Sequence, residues 1–180
     1  MPNSIKTYSK IKINPLNPDS NLILIDDIAH SLSLMCRANG HVSDFFSVAQ
    51  HSICCAEEAI SRGYSKRVAL ALLLHDGSEA YLADITRPVK KSLTFYLEVE
   101  ENLQDTIYRK YLGSDLTEDE KMKLSVVDDA ILYHELLIFM DEKLDFEDTE
   151  LKSTPNFSFE PFKEVEDKFK ELFEKLTASL

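Results

Sequence analysis

An all-α fold with a small N-terminal β-hairpin is what this sequence predicts, and three observations predict it. Glycine and proline are scarce, four and six in 180 residues, whereas Leu, Ile, Glu and Lys are abundant, a balance that favours helix. Two capping boxes, Ser47-Val48-Ala49-Gln50 and Thr117-Glu118-Asp119-Glu120, announce helix starts. A run of seven apolar residues, Val68 to Leu74, leads straight into His75-Asp76, with Glu79 one turn on. Burying such carboxylates costs several kcal/mol or more unless cations or hydrogen bonds compensate. A metal ion is the simplest compensation.

In chain order, Tyr8 to Ile13 and Leu22 to Ile25 read as two short strands flanking the turn NPLNPDSN. Asp26-Asp27 open a helix that runs through Arg37 and ends before Asn39-Gly40. Ser47 caps the next helix, which carries His51 in its first turn and stops at Gly63. Ser65 opens the central helix, expected to carry His75, Asp76 and Glu79. Pro88 prevents regular helix after Asp84. Residues from about Ser92 to Leu112 form another helix, closed by Gly113. A long helix from Thr117 to about Lys143 contains Asp128, Asp129, His134 and Glu135. The acidic stretch DEKLDFEDTE and an irregular connection precede a last helix from Pro161. Its Phe162, Val165, Phe169, Leu172, Phe173 and Leu176 recur at helical spacing. The length predicts one domain over residues 1–180, with the hairpin in 1–25 and the C-terminal connection and helix in 145–180.

The formal net charge of −12 argues against a nucleic-acid surface and against anionic membranes. The polar N-terminus carries no apolar signal core, and no apolar stretch reaches membrane-spanning length. A soluble cytoplasmic protein is expected. Cys36, Cys54 and Cys55 form neither a disulfide framework nor a Cys-x-x-Cys knuckle, and read as small buried hydrophobes.

On one helix, His75 and Glu79 lie about 40° apart, with Asp76 in reach. His51 offers a third ligand from another helix, and the long helix a carboxylate. Nitrogen and carboxylate oxygen suit one divalent transition metal: Mn, Co, Zn, Ni or Fe. Two aspartates against a divalent cation leave a near-neutral site able to accept phosphate. Periodicity leaves Asp128 and Asp129 as alternatives, because the helix is apolar nearly all round. His30, His41 and His134 read as structural; Tyr81, Phe45 and Phe46 as packing residues that border a pocket; Arg87 and Lys91 as surface charge; and Glu135 as a partner behind the ligands.

The order His … His-Asp … Asp resembles the HD-domain metal-dependent phosphohydrolases. The blocks DIAHSLSLMCRANGH, FSVAQHS, LLLHDGSEAYLADITRPVKK and VVDDAILYHE resemble a compact bacterial and phage branch, related to 5′-deoxynucleotidases and to phage triphosphohydrolases acting on dATP. The likeness covers about residues 5–140 and implies an HD-domain helical bundle. It also implies His51, His75, Asp76 and Asp128 as metal ligands, which selects Asp128 over its neighbour. Glu79 matches an acid that positions or activates water, and Asp84 a second acid near the leaving group. Arg37, 14 residues before His51, matches a substrate-contacting arginine, and Lys90 a phosphate contact. Gly77, Ala83 and Thr86 depart from the expected Ala, Gly and Pro, and the last two bear on the path of the loop carrying Asp84. The resemblance implies a nucleotide substrate and a homo-oligomer. A 5′-deoxynucleotidase acting on monophosphates is the first expectation and a dNTP triphosphohydrolase the second. HD enzymes of alarmones or cyclic nucleotides usually carry extra motifs or domains, and a non-catalytic HD module would tend to lose ligands.

Overall fold

The computed structural model describes residues 3–145 and 149–178. Phe146, Glu147 and Asp148 of the acidic stretch lie outside them, as do residues 1, 2, 179 and 180. Among the described residues are a two-stranded antiparallel sheet and seven α-helices.

Strands β1 (Ile5–Lys6) and β2 (Lys12–Ile13) pair with Ile5 opposite Ile13. Only β2 comes from the first expected piece, Tyr8 to Ile13; β1 lies ahead of it, at Ile5–Lys6, and the turn between them falls within that piece. Leu22 to Ile25 is no strand: Ser20–Leu22 makes a 3-10 turn capped by Asp19, and Ile25 already starts α1 (Ile25–Leu34). The Asp19 carboxylate accepts from Asn21 N, and Leu22 N and Ile23 N donate to Asp19 O (2.9 Å) and Ser20 O (3.3 Å), which satisfies the turn locally and removes donors a ladder would need. Helix α1 also ends earlier than expected. Met35 and Cys36 turn extended, and Cys36 forms an isolated bridge with Ser47.

Helix α2 (Val48–Ser61) begins with the reciprocal Ser47–Gln50 capping box and ends ahead of Gly63, at φ 75°. Helix α3 (Lys66–Leu73) is capped by Ser65. A single turn, α4 (Arg87–Lys90), carries Pro88 near its start, where the missing N–H costs nothing. Helices α5 (Thr94–Leu112), α6 (Glu118–Met140) and α7 (Phe162–Thr177) follow. Gly113 ends α5 in the left-handed conformation, and the Thr117–Glu120 capping box opens α6.

The core centres on α2 against α3, both rich in small and aliphatic side chains. Helix α7 packs on α1, α2 and α3, inserting Val165, Phe169 and Leu176. Helix α6 meets α2 and α3, and α5 meets α3. No helix among the described residues is long and apolar enough to cross a membrane.

The main departure from expectation is at the end of α3. The helix stops at Leu73, and His75 and Asp76 lie in the turn before a 3-10 segment, Gly77–Ala80, that holds Glu79. Of the carbonyls a longer helix would use, Leu72 O accepts from a side chain and Leu74 O from a side chain and from Gly77 N (2.8 Å). His75 Nδ1 donates to Leu72 O (2.6 Å). Gln104 of α5 donates from Nε2 to Leu74 O (2.8 Å) and accepts from Ser78 N (3.0 Å). That amide stands between the two backbone groups that the next helical bond would have joined.

Candidate metal centre

Three backbone devices bring the site together. The broken end of α3 swings His75 and Asp76 away from their helical line. The first turn of α2 presents His51, which is completely buried. The bridge between Cys36 and Ser47, with Arg37 N donating to Phe46 O (2.9 Å), turns Arg37 toward the same point. Ala38 and Asn39 then take positive φ, 49° and 53°, to complete the reversal.

His51 Nε2 and His75 Nε2 face each other at 3.2 Å. Asp128 Oδ1 lies 3.1 Å from the first and 3.8 Å from the second. Asp76 reaches both rings, Oδ1 at 3.3 Å from His75 Nε2 and Oδ2 at 3.9 Å from His51 Nε2. Both other ring nitrogens are committed: His75 Nδ1 to Leu72 O, and His51 Nδ1 to Glu135 Oε1 at 2.6 Å. Each of those acceptors holds the proton on Nδ1 and turns an Nε2 lone pair inward. Two lone pairs facing each other across 3.2 Å call for a cation between them. Nitrogens bound to one ion at about 2.1 Å stand roughly 3.0–3.4 Å apart, so the donor set fits a divalent metal. A group of four donors from His51, Cys55, His75 and Asp128 lies with all ligand atoms within 4.8 Å of one another. Cys55, read above as packing, is therefore part of the cluster. Its signal in the sequence is its place one helical turn after His51.

Asp129 does not join. It accepts from Arg87 Nη1 (2.8 Å), while Arg87 Nη2 donates to Asp128 Oδ2 (2.7 Å). Arg87, read as surface charge, thus clamps both aspartates. Glu135 is buried and holds Arg37 Nε at 3.2 Å as well as His51. Arg37 Nη1 approaches Asp76 Oδ2 (3.7 Å) and Asp84 Oδ2 (4.0 Å). Lys90 Nζ donates to Glu79 Oε1 (3.3 Å) and pairs with Glu100 (2.7 Å). The second oxygens of Glu79 and Asp84 are buried with no hydrogen-bond partner among the described residues.

Charge sorts these acids into two groups. Burial opposes ionisation of Asp128, but His51, His75 and Arg87 outweigh it and hold its carboxyl far below the usual range. Burial is likewise outweighed at Asp76, by His75, His51 and Arg37, and at Glu135, by His51 and Arg37. Glu79 goes the other way: burial, then repulsion from Asp76 and Asp84, pushes it well up, against Lys90 and Arg37. Asp84 is also raised, by burial and then by Asp76, which together outweigh Arg37. At His51, burial and Arg37 oppose protonation, yet Cys55, Glu135 and Asp128 raise its pKa; the pocket favours positive charge at this point. Burial pushes the Cys55 thiol up to about 11.

A cleft of about 580 Å³ opens beside the cluster, lined among others by Arg37, Asp76, Glu79, Asp84, Lys90 and Asp128. The other singled-out residues lie elsewhere. His30 stacks on Tyr8 and bonds Glu166 (3.0 Å), and His134 bonds Thr149 O (2.9 Å). Phe46 is core, and Tyr81 is buried. Phe45 packs edge-on to Phe159, and His41 is exposed.

No family model matches the chain. Uncharacterized protein YfdR of Escherichia coli K12 is 40% identical over 109 residues, 59% of this chain and 57% of its own. Uncharacterized protein RCAP_rcc00048 of Rhodobacter capsulatus is 36% identical over 106 residues, 56% and 54% respectively. The chain thus matches a little over half the length of each relative, and their names state no activity.

Proposed function

We propose that this chain is an HD-type metal-dependent phosphohydrolase that releases phosphate from nucleotides, first as a 5′-deoxynucleotidase acting on deoxynucleoside monophosphates. The observation that carries the reading is the pair of inward-facing imidazoles at 3.2 Å, with Asp128 against them, at the wall of a cleft lined by both acids and bases. His51, His75, Asp76 and Asp128 would hold one divalent transition metal among Mn, Co, Zn, Ni and Fe. When bound, such a metal supplies Lewis acidity to a phosphate oxygen and lowers the pKa of water.

The chain's own groups divide the remaining work. Glu79 has a buried, unpartnered oxygen and a raised proton affinity, which suit it to take the proton of the attacking water. Lys90, 3.3 Å away, favours the ionised form it needs at the start. Asp84, also raised, is suited to give a proton to the departing 5′ oxygen as the P–O bond breaks. Arg37 is held by Glu135 and is available to charge developing on the phosphoryl oxygens.

A triphosphohydrolase acting on dNTP is the second reading. Arg87, Lys90 and Lys91 line one side of the cleft along α4 and its end, a row of cations suited to a longer polyphosphate. The homo-oligomer belongs to the same proposal: Met122, Leu137 and Ile138 of α6 are exposed and available to a partner copy, and a monomer mass in sedimentation would remove that part.

The test is a screen for phosphate, pyrophosphate and triphosphate release from mono-, di- and triphosphates of all bases, with Mn, Co, Zn and Mg. Phosphate from monophosphates supports the first reading and triphosphate from dNTP the second. No release from any nucleotide by the metal-loaded protein overturns the enzyme and leaves a non-catalytic module.

A further inference from the structure

The cluster contains a donor that the two-histidine, two-aspartate set does not use. Cys55 is completely buried and lies one turn after His51 on α2. Its Sγ stands 3.5 Å from His51 Nε2. It is also within 4.8 Å of ligand atoms of His75 and Asp128. For a nitrogen at about 2.1 Å and a sulfur at about 2.3 Å from one ion, the separation runs from roughly 3.1 to 3.6 Å. The observed spacing lies inside that interval. Cys54 and Cys36 have no place in the group.

Asp76 holds a looser position. Its Oδ1 comes within 3.3 Å of His75 Nε2, but its Oδ2 is 3.9 Å from His51 Nε2 and is shared with Arg37 Nη1 at 3.7 Å. It stands outside the set of four mutually close donors.

We propose that the sulfur of Cys55 is a direct ligand of the cation, so that this chain holds its metal on two nitrogens, one carboxylate oxygen and one sulfur, with Asp76 at the outer side. The inference rests on the cluster holding a metal, as proposed above. Forming the sulfur–metal bond releases the thiol proton to solvent, and no electron is transferred. Two anions, Cys55 and Asp128, then balance a divalent ion, and Arg37 offsets Asp76. Four close donors that include sulfur suit tetrahedral Zn(II) and Co(II), and disfavour Mn(II) and Mg(II), which prefer oxygen. The Cys55 position therefore sets metal choice.

Cobalt(II) titrated into the metal-free protein reads the bond directly. The expected result is a near-ultraviolet sulfur-to-cobalt charge-transfer band in the unaltered protein, absent in Cys55→Ala, with Cys55→Asp retaining cobalt but not the band. Competition titrations should show zinc affinity falling by at least about 10–100-fold in Cys55→Ala, the scale set by losing even an outer partner, with manganese affinity nearly unchanged. The spectrum of the unaltered protein decides the matter even where a variant fails to fold. Cobalt bound with visible bands but no charge-transfer band overturns the sulfur ligand and leaves the metal reading standing. No cobalt, zinc or manganese bound at all overturns both.

Discussion

Gln104 is the residue whose loss should be felt furthest from where it sits. Its amide spans a missing helical bond, donating to Leu74 O at 2.8 Å and accepting from Ser78 N at 3.0 Å. Gln104→Leu keeps most of the volume and removes both partners. Each buried backbone group left unsatisfied costs about 1–3 kcal/mol. Leu74 O keeps Gly77 N as a donor (2.8 Å), so Ser78 N is the group left without a partner. The segment can recover that bond only by closing the helical pair between Ser78 N and Leu74 O and rebuilding residues 75–78, so about 1–3 kcal/mol is the expected loss. In a domain of this size each kcal/mol lowers Tm by about 2–4 °C, which predicts a drop of about 2–12 °C. That relaxation would also rewind residues 75–78 toward helix, pulling His75 and Asp76 out of register, so metal affinity should fall together with stability. Urea unfolding gives the first quantity and competitive metal titration the second. A stability change under about 0.5 kcal/mol would refute the claim that this amide holds the break open. Lost stability with unchanged metal affinity would refute its link to the site.

Four further outcomes are expected. Glu79→Gln should abolish turnover and retain metal. It should also stabilise the metal-free protein at neutral pH: the native carboxyl is raised above its unfolded value, so native Glu79 costs stability as pH climbs past the unfolded pKa of about 4.3, and unfolding curves from pH 4 to 8 should lose that decline in the variant. His75→Ala or Asp128→Ala should remove both metal and activity, and stoichiometric metal in Asp128→Ala by elemental analysis would sink that ligand. Glu135→Gln should weaken metal binding about 10–100-fold, because a neutral amide at 2.6 Å from His51 Nδ1 no longer enforces the inward lone pair; unchanged affinity in a competition titration counts against that role. Arg67→Ala should cost about 1.5–3 kcal/mol in chemical unfolding, since its guanidinium bonds Glu120, Leu112 O, Ser114 and Asp115 O and so ties the α5–α6 turn.

Much of this architecture was legible because its signals are local. Ser47 and Thr117 cap as their motifs require, Gly63 and Gly113 stop helices, and the apolar spacing of α7 brings Val165, Phe169 and Leu176 inward. The break after Leu73 was not legible, since nothing in LLLHDGSEA forbids helix. It is imposed by Gln104, a residue 30 positions away from Leu74, and such a distant hydrogen bond leaves no trace in local spacing. The same limit hid the Arg87 clamp, 41 positions from Asp128. Asp128 and Asp129 could not be separated by periodicity because α6 also carries apolar side chains on its outer side, Met122, Leu137 and Met140 among them, whereas its buried residues, such as Leu124, Val127, Ile131 and Phe139, form a single stripe. Cys55 was passed over because a buried thiol is usually packing; only the 3.5 Å approach to His51 marks it otherwise.

The position of α7 in the chain has a consequence for synthesis. His51, His75, Asp128 and Glu135 all precede residue 136, yet the face that α1, α2 and α3 turn toward α7 is covered only by residues 162–177. At about 5–20 residues per second, a ribosome adds the intervening ~40 residues in roughly 2–8 s. Over that interval the chain already carries the side chains proposed to serve the metal, while the helix that covers the seam of α1, α2 and α3 has yet to be made. Slow decoding after residue 136 would lengthen the exposure, and a holding chaperone that recognises apolar helix faces would find its target in that window.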